Sequence, residues 1–430
     1  MMKRFSILLS MALTLTLCTY STIAEESAQW WKGNLHTHSL WSDGDDYPDM
    51  IADWYKSQGY DFLALSDHNV LMQKERWVNP IKNRGGSKAF EKYLGRFGAK
   101  WVETRVDDGV YQVRLKPWNE IRARFEEPGR FLMIQAEEIT DNFKDEKYKV
   151  NLPVHLNGLN VIDYIAPQGG DSVQETMQNN INAVLLQRRE TGQPMFPHMN
   201  HPNFVWGITA EELAGLDGEQ FFEVYNGHPD VRNEGDEIHA SMERMWDIIL
   251  TKRLGELNKP IMYGIATDDA HNYHKFTSRD SNPGRGWVVV RAAFLTPEHI
   301  IHAMEAGDFY ASSGVVLDDI QHTKNQMTIH IHPENGVEFE TLFYGTRKGY
   351  DAASKPMNDP KTGIPVTRKY SKDVGEVLAI VSGAQASYTY NGDELYVRAK
   401  VVSSKLKENP YREGEFEQAW VQPVVVAPVK

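Results

Sequence analysis

From Trp31 to about Gly314 short apolar runs alternate with amphipathic stretches, the pattern of a chain that passes repeatedly from strand to helix. The spacing predicts strands over 33–38, 61–66, 131–136, 154–161, 195–197, 221–225, 260–266 and 287–291. It predicts helices near 50–57, 119–126, 172–189, 234–256 and 297–306. Such alternation implies an α/β fold, and either a β/α barrel or a doubly wound sheet fits it. After Gly314 the helical period disappears. Residues 326–332 alternate strictly, 375–381 are a short apolar run, and 388–396 read as a hairpin around Asn391-Gly392. The expected organisation is an α/β domain over 25–314, with an insertion at about 69–130, followed by a small β-sandwich-like domain over 315–430.

The first 24 residues break this pattern. Lys3 and Arg4 precede the apolar stretch Phe5–Leu17, and Thr22-Ile23-Ala24 offers small residues where a signal peptidase reads. The stretch falls short of the roughly 20 residues needed to span a bilayer, so 1–24 are expected to be a cleaved export signal and the protein periplasmic or secreted. A lipoprotein on Cys18 is the alternative, against which stands the large Leu17. Cys18 is the single cysteine of the sequence, so the exported chain would have no disulfide and no thiolate, and any metal must be held by His, Asp and Glu.

Charge narrows the partners. The 46 basic and 59 acidic residues give −13. Without Lys3 and Arg4 the balance is 44 against 59, or −15. Long-range attraction to nucleic acid or to an anionic membrane is not expected; a small molecule is. Locally, residues 70–130 carry 14 Lys/Arg and 8 Asp/Glu. They form either ordinary solvated helix faces or a lid that draws in an anionic substrate.

The chemistry lies in position. Seven of the predicted strands contain, or run at their C-terminal ends into, metal-ligand residue types: His36 and His38 with Asp43 close behind; Asp67-His68; Glu137-Glu138; His155; His198 and His201; Glu223; and Asp268-Asp269-Ala-His271. In parallel β/α folds these ends share one face, so residues distant in sequence converge. Each also has an ordinary structural reading. His36 and His38 lie two apart and point to one side of a strand, but so do His330 and His332, read here as an exposed face. Of Glu137 and Glu138 only one should reach the site. His228, His239, His274, His299, His302 and His322 are read as structural or surface residues. No G-x-S-x-G, H-E-x-x-H, P-loop or dinucleotide fingerprint is present.

The motifs Asn34-Leu-His36-Thr-His38-Ser-Leu-Trp-Ser-Asp43-Gly44, Gly59-Tyr-Asp-Phe-Leu-Ala-Leu-Ser-Asp67-His68-Asn69, Glu138-Ile-Thr, His201-Pro-Asn and Asp269-Ala-His271 resemble, in order, those of the polymerase and histidinol phosphatase (PHP) superfamily. The tail motifs Asp308-Phe-Tyr-Ala-Ser-Ser-Gly314 and Gln418-Ala-Trp-Val-Gln-Pro423 resemble an exported branch that includes carbaryl-hydrolase-like enzymes. The resemblance implies a distorted seven-stranded β/α barrel holding two or three divalent ions, Zn, Mn or Fe. It implies His36, His38, Asp43, His68, Glu138, His155, His201, Asp269 and His271 as ligands, with Glu138 bridging. Asp67, Glu138, His198 and Arg285 are the candidates for catalysis; Arg279 and Arg285 could grip an anionic oxygen or pair with surface carboxylates. The expected activity is metal-assisted hydrolysis of a phosphate ester by an activated water. Alternatives are an esterase, amidase or carbamate hydrolase on the same site, or a metal- or ligand-binding protein without turnover.

Overall fold

A computed structural model describes residues 28–426; the expected signal segment lies outside them. Thirteen strands form one sheet, in the spatial order 263–267, 221–226, 196–199, 150–159, 132–145, 62–65, 29–34, 287–292, 309–312, 416–425, 394–406, 339–347 and 376–382. The first eight correspond to the eight strands expected from the apolar runs. Phe62-Leu-Ala-Leu65 is buried at all four positions, as a strand covered on both faces must be.

The sheet is mixed rather than parallel throughout. Strands 29–34, 62–65 and 132–145 run parallel, as do 196–199, 221–226 and 263–267. Strand 150–159 joins the two runs and is antiparallel to both of its neighbours. Only Glu146–Lys149 separate it from strand 132–145, and so short a connection allows a hairpin and not a crossover. The segment after edge strand 263–267 meets the segment after strand 29–34 through one parallel bridge, Thr37 to Ala270, with His38 N donating to Ala270 O at 3.0 Å and Asp269 N to His36 O at 3.1 Å. The edge strand is therefore pinned at that point to the interior strand 29–34, without a full barrel ladder between them.

Helices occupy 48–57, 118–125, 173–191, 242–255 and 297–305. Where the sequence pattern suggests a start at 234, the fourth begins at Met242, because Ser241 caps it by accepting from Arg244 N. The insertion adds a helix over 86–97 and a three-stranded antiparallel sheet of 76–78, 110–115 and 104–107. Its Tyr93, Val113 and Leu115 share an apolar core with Tyr47, Ile51 and Tyr55 of the first helix region.

Beyond Gly314 the strands 317–322, 326–331 and 385–389 form a separate sheet, and Met327, Ile329 and Ala386 pack in one core with Phe343, Val397, Ala399 and Val421 of the large sheet. The last strand, 416–425, pairs with 309–312, so the boundary expected at residue 314 interrupts no sheet. The expected hairpin at Asn391-Gly392 also differs: strands 385–389 and 394–406 join different sheets. The buried Glu394 carboxylate takes the N–H groups of Asn391 and Gly392 and the Tyr388 hydroxyl, which holds the turn without strand pairing.

Candidate metal centre

His36 and His38 sit just past strand 29–34, on either side of the bridged Thr37, and both are buried. Their Nε2 atoms lie 3.1 Å apart. Glu138 Oε2, from the middle of strand 132–145, is 3.5 and 3.4 Å from these two nitrogens. Asp269 Oδ1 is 3.3 and 3.2 Å from them. Ligand atoms bound tetrahedrally at 2.0–2.1 Å lie roughly 3.3–3.4 Å from one another; the His36, His38 and Asp269 atoms have that spacing and form one ligand group, while Glu138 joins His36 and His201 in the next.

The side chains behind this set orient it. His36 Nδ1 lies 2.7 Å from Glu223 Oε1, so its proton sits on Nδ1 and the Nε2 lone pair faces Glu138 and Asp269. Glu223 is held in turn by Thr267 Oγ1 at 2.8 Å, His201 N at 2.7 Å and Asn226 Nδ2 at 2.8 Å. His271 Nδ1 donates to Asp269 O at 2.9 Å, which leaves its Nε2 facing Asp43 Oδ1 at 3.3 Å. Asp269 and His201 hold their side chains in place from left-handed backbone, φ 49° and 22°, a conformation that non-glycine residues adopt at a cost.

Glu138 is the hub. Oε2 also lies 2.7 Å from His68 Nδ1, while Oε1 lies 3.1 Å from His155 Nδ1 and 3.3 Å from His201 Nε2 and accepts from Asn200 Nδ2 at 2.9 Å. Burial alone would push the Glu138 carboxyl up, but His68, His36 and His155 outweigh it and hold it well below the carboxylate range. Even so, buried Glu138 Oε2 and His155 Nδ1 have no well-directed hydrogen bond. Close approach without hydrogen-bond geometry is what groups aimed at a shared cation would show. A third gathering places Asp43 Oδ1 3.3, 3.5 and 3.7 Å from His271 Nε2, His68 Nε2 and His38 Nδ1. All nine residues named as ligands thus fall into overlapping groups of metal-ligand atoms, and the donor set of imidazoles and carboxylates suits Zn, Mn or Fe.

Three of the residues named for catalysis sit elsewhere. Asp67 spends both oxygens on the turn that follows His38: Oδ1 accepts from Ser39 N at 2.8 Å and Ser42 Oγ at 2.5 Å, and Oδ2 from Ser39 Oγ at 2.7 Å. It positions the turn that carries Asp43. His198 is fully buried behind His36, with ring centroids 6.3 Å apart, and it belongs to no ligand group among the described residues. Burial holds it down to about 4, hence neutral. Arg285 is buried and donates to the carbonyls of Gly227, Asp280 and Thr277 at 2.9, 2.7 and 2.8 Å; it ties loops together and does not line the cleft. Arg279 is exposed and outside the cleft. Glu137 points to the opposite face, accepting from Ile165 N at 2.7 Å, and burial pushes it up to about 8.

The centre opens into a cleft of about 310 Å³ whose walls include Arg84, Phe204, His228 and Asn272 beside the ligand histidines. Arg84 is the cleft's one residue from the basic insertion, and it donates to Asp43 O. His228 is read from the sequence as structural because the strand is expected to end at Tyr225. The strand runs to Asn226, and His228 follows that end just as the other site residues follow theirs.

No family model matches this sequence, and no curated protein does. Among solved structures it is similar to a two-domain protein from Bacteroides vulgatus containing a predicted PHP-like metal-dependent phosphoesterase, at 13% identity and TM-score 0.36 over 92% of this chain and 95% of that one. It is similar also to a candidate metal-dependent phosphoesterase from Bifidobacterium adolescentis, at 13% identity and TM-score 0.26 over 56% of this chain and 88% of that one. A third likeness, at 14% identity and TM-score 0.26 over 56% of this chain and 88% of that one, is to an amidohydrolase from Chromobacterium violaceum with bound sulfate and no metal.

Proposed function

We propose that this chain is an exported, metal-dependent hydrolase of the PHP type that cleaves a phosphate ester at the cleft described above. The observation that carries this reading is the convergence of the His36 and His38 Nε2 atoms with Asp269 Oδ1, 3.1–3.3 Å from one another, beside Glu138 Oε2, a buried oxygen without a directed hydrogen bond. His36, His38, Asp43, His68, Glu138, His155, His201, Asp269 and His271 would hold two or three divalent ions, with Glu138 shared between them. Such ions would supply charge neutralisation at the phosphoryl oxygens and bring the pKa of a bound water near neutrality.

The remaining work belongs to the protein. Glu223 keeps the His36 proton on Nδ1. Asp67 fixes the Ser39–Ser42 turn and with it Asp43. Arg84 lines the cleft, where its guanidinium is paired with Asp43 through the carbonyl and the carboxylate, and a cation at the mouth supports phosphate over a neutral ester. Phe204 sets a hydrophobic surface beside His201, with ring centroids 5.2 Å apart. That surface favours, as a second reading, a carboxylic or carbamate ester on the same centre, as in the carbaryl-hydrolase-like branch.

Export rests on the sequence of residues 1–24; among the described residues no helix is long and apolar enough to cross a membrane. The deciding experiment is metal analysis of the purified chain, followed by assay of Zn-, Mn- and Fe-loaded protein on phosphomonoesters, phosphodiesters and aryl carboxylic esters. Metal content near zero, with no turnover on any class, would defeat the proposal.

A further inference from the structure

The imidazoles around the cleft differ in where their protons are held. His36 and His271 each donate from Nδ1 to an oxygen and so present a bare Nε2. His228 is built the other way round. Asp230 N donates to His228 Nδ1 at 3.1 Å, so Nδ1 is an acceptor, and in the neutral ring the proton must sit on Nε2. A nitrogen carrying a proton cannot ligate a cation. In agreement, His228 is in none of the ligand groups, and neither ring nitrogen lies within ion-pair distance of a described carboxylate, whereas His68, His155, His201 and His271 each face one.

Its place is fixed as closely as its tautomer. His228 N donates to Asn226 Oδ1 at 2.8 Å, and Asn226 Nδ2 donates to Glu223 Oε2 and Asp269 Oδ2 at 2.8 and 3.1 Å. The residue is therefore tied to the same two carboxylates that orient and complete the centre. Its ring meets that of His271 edge to face at a centroid distance of 5.4 Å. It is half-buried and lines the cleft beside the exposed Asp230.

We infer that His228 is a catalytic hydrogen-bond donor, its Nε2–H directed at the leaving-group oxygen of the bound ester. The inference rests on the hydrolase reading above. The buried Glu138 and Asp269 carboxylates, with the cations they would hold, are where the non-bridging oxygens would go. His228 lines the same cleft beside the exposed Asp230, with a proton that no described protein acceptor takes, and this is the side assigned to the departing alcohol. A donor placed there stabilises the charge that develops on the ester oxygen as its bond breaks. That help matters in proportion to the basicity of the leaving group, so His228 would decide whether alkyl esters are substrates at all.

The test compares the wild type, His228→Ala and His228→Gln on methyl phosphate and 4-nitrophenyl phosphate, with metal content measured on each. The Gln amide places an N–H near the position of Nε2. The expected result is a loss of about 100-fold in kcat/KM on the alkyl ester for His228→Ala, a loss under about 5-fold on the nitrophenyl ester, partial recovery in His228→Gln, and unchanged metal content. Equal losses on both esters would overturn the inference, as would loss of metal from His228→Ala. So would ¹⁵N ring shifts of wild-type His228 that show the proton on Nδ1. If the wild type hydrolyses methyl and 4-nitrophenyl acetate but neither phosphate, the phosphate reading falls alone and the same comparison on acetates judges His228. Hydrolysis of neither class overturns both.

Discussion

His36-Thr-His38 and His330-Ile-His332 have the same spacing and the same local logic, two imidazoles on one side of an extended chain. Their fates differ completely. The first pair is buried and meets Glu138, Glu223 and Asp269, carried in by three other strands and their ends. The second lies on the outer face of the small sheet: the His332 side chain is 59% exposed, with Asp318 Oδ1 2.9 Å away, while Met327, Ile329 and Ile331 take the core side. Period two decides which way a ring points, but only the surroundings decide whether it is a ligand.

The buried glutamates make the same point. Glu138 and Glu219 are both fully buried. Among histidines, Glu138 is held far below the usual range. Glu219 accepts from Gln220 N and Phe221 N through Oε1 only, and burial pushes it up to about 8.

The sharpest way to break the comparison is at the hub. Glu138→Gln removes the charge shared by two of the four ligand groups and is expected to lower hydrolysis by roughly 10³-fold or more, with metal content falling in parallel by elemental analysis. Retained metal and activity would make the first pair no different from the second. Removing the metal with a chelator comes next. Activity should vanish and return on adding back Zn, Mn or Fe, and melting should shift down, because a ligand at 100 times its Kd stabilises by about 2.7 kcal/mol. Glu223→Gln, which leaves every proposed ligand in place, should weaken metal affinity about 10- to 100-fold, measured by competition with a chromophoric chelator.

The glutamate comparison gives a pH test. With its folded pKa raised to about 8 above an unfolded value near 4.5, Glu219 contributes most to stability below about pH 4.5, and that contribution is lost as pH rises toward 8. Glu219→Gln cannot ionise, so its stability relative to wild type should rise by about 2–4 kcal/mol between pH 5 and pH 8 in urea titrations; a pH-independent difference would show that Glu219 is not buried as described. The smallest effect is expected at the outer pair. His330→Ala and His332→Ala should each change stability by no more than about 0.5 kcal/mol, with metal content unchanged.

Much of the site is legible in sequence because strands end where their apolar runs end. Phe62–Leu65 announces Asp67-His68, and 263–267 announces Asp269 and His271. What misleads is the side chain's final partner. Asp67, next to a ligand, turns to Ser39 and Ser42. His198 ends a strand and still lies beneath the centre. Arg285 follows the last motif and is consumed by carbonyls. His228 is missed by one residue of strand length, and Arg84 comes from an insertion whose net charge alone hints at it.

The sequence by itself determines the alternation of strands and helices, the absence of any thiol from the described chain, and the clustering of His, Asp and Glu after strand ends, because periodicity and composition are local properties. Which imidazole nitrogen carries the proton, and hence which histidines can take a cation, is decided only in the tertiary structure. His36 meets Glu223 across 187 residues of chain, and no local pattern encodes which oxygen will lie 2.7 Å from a given ring nitrogen.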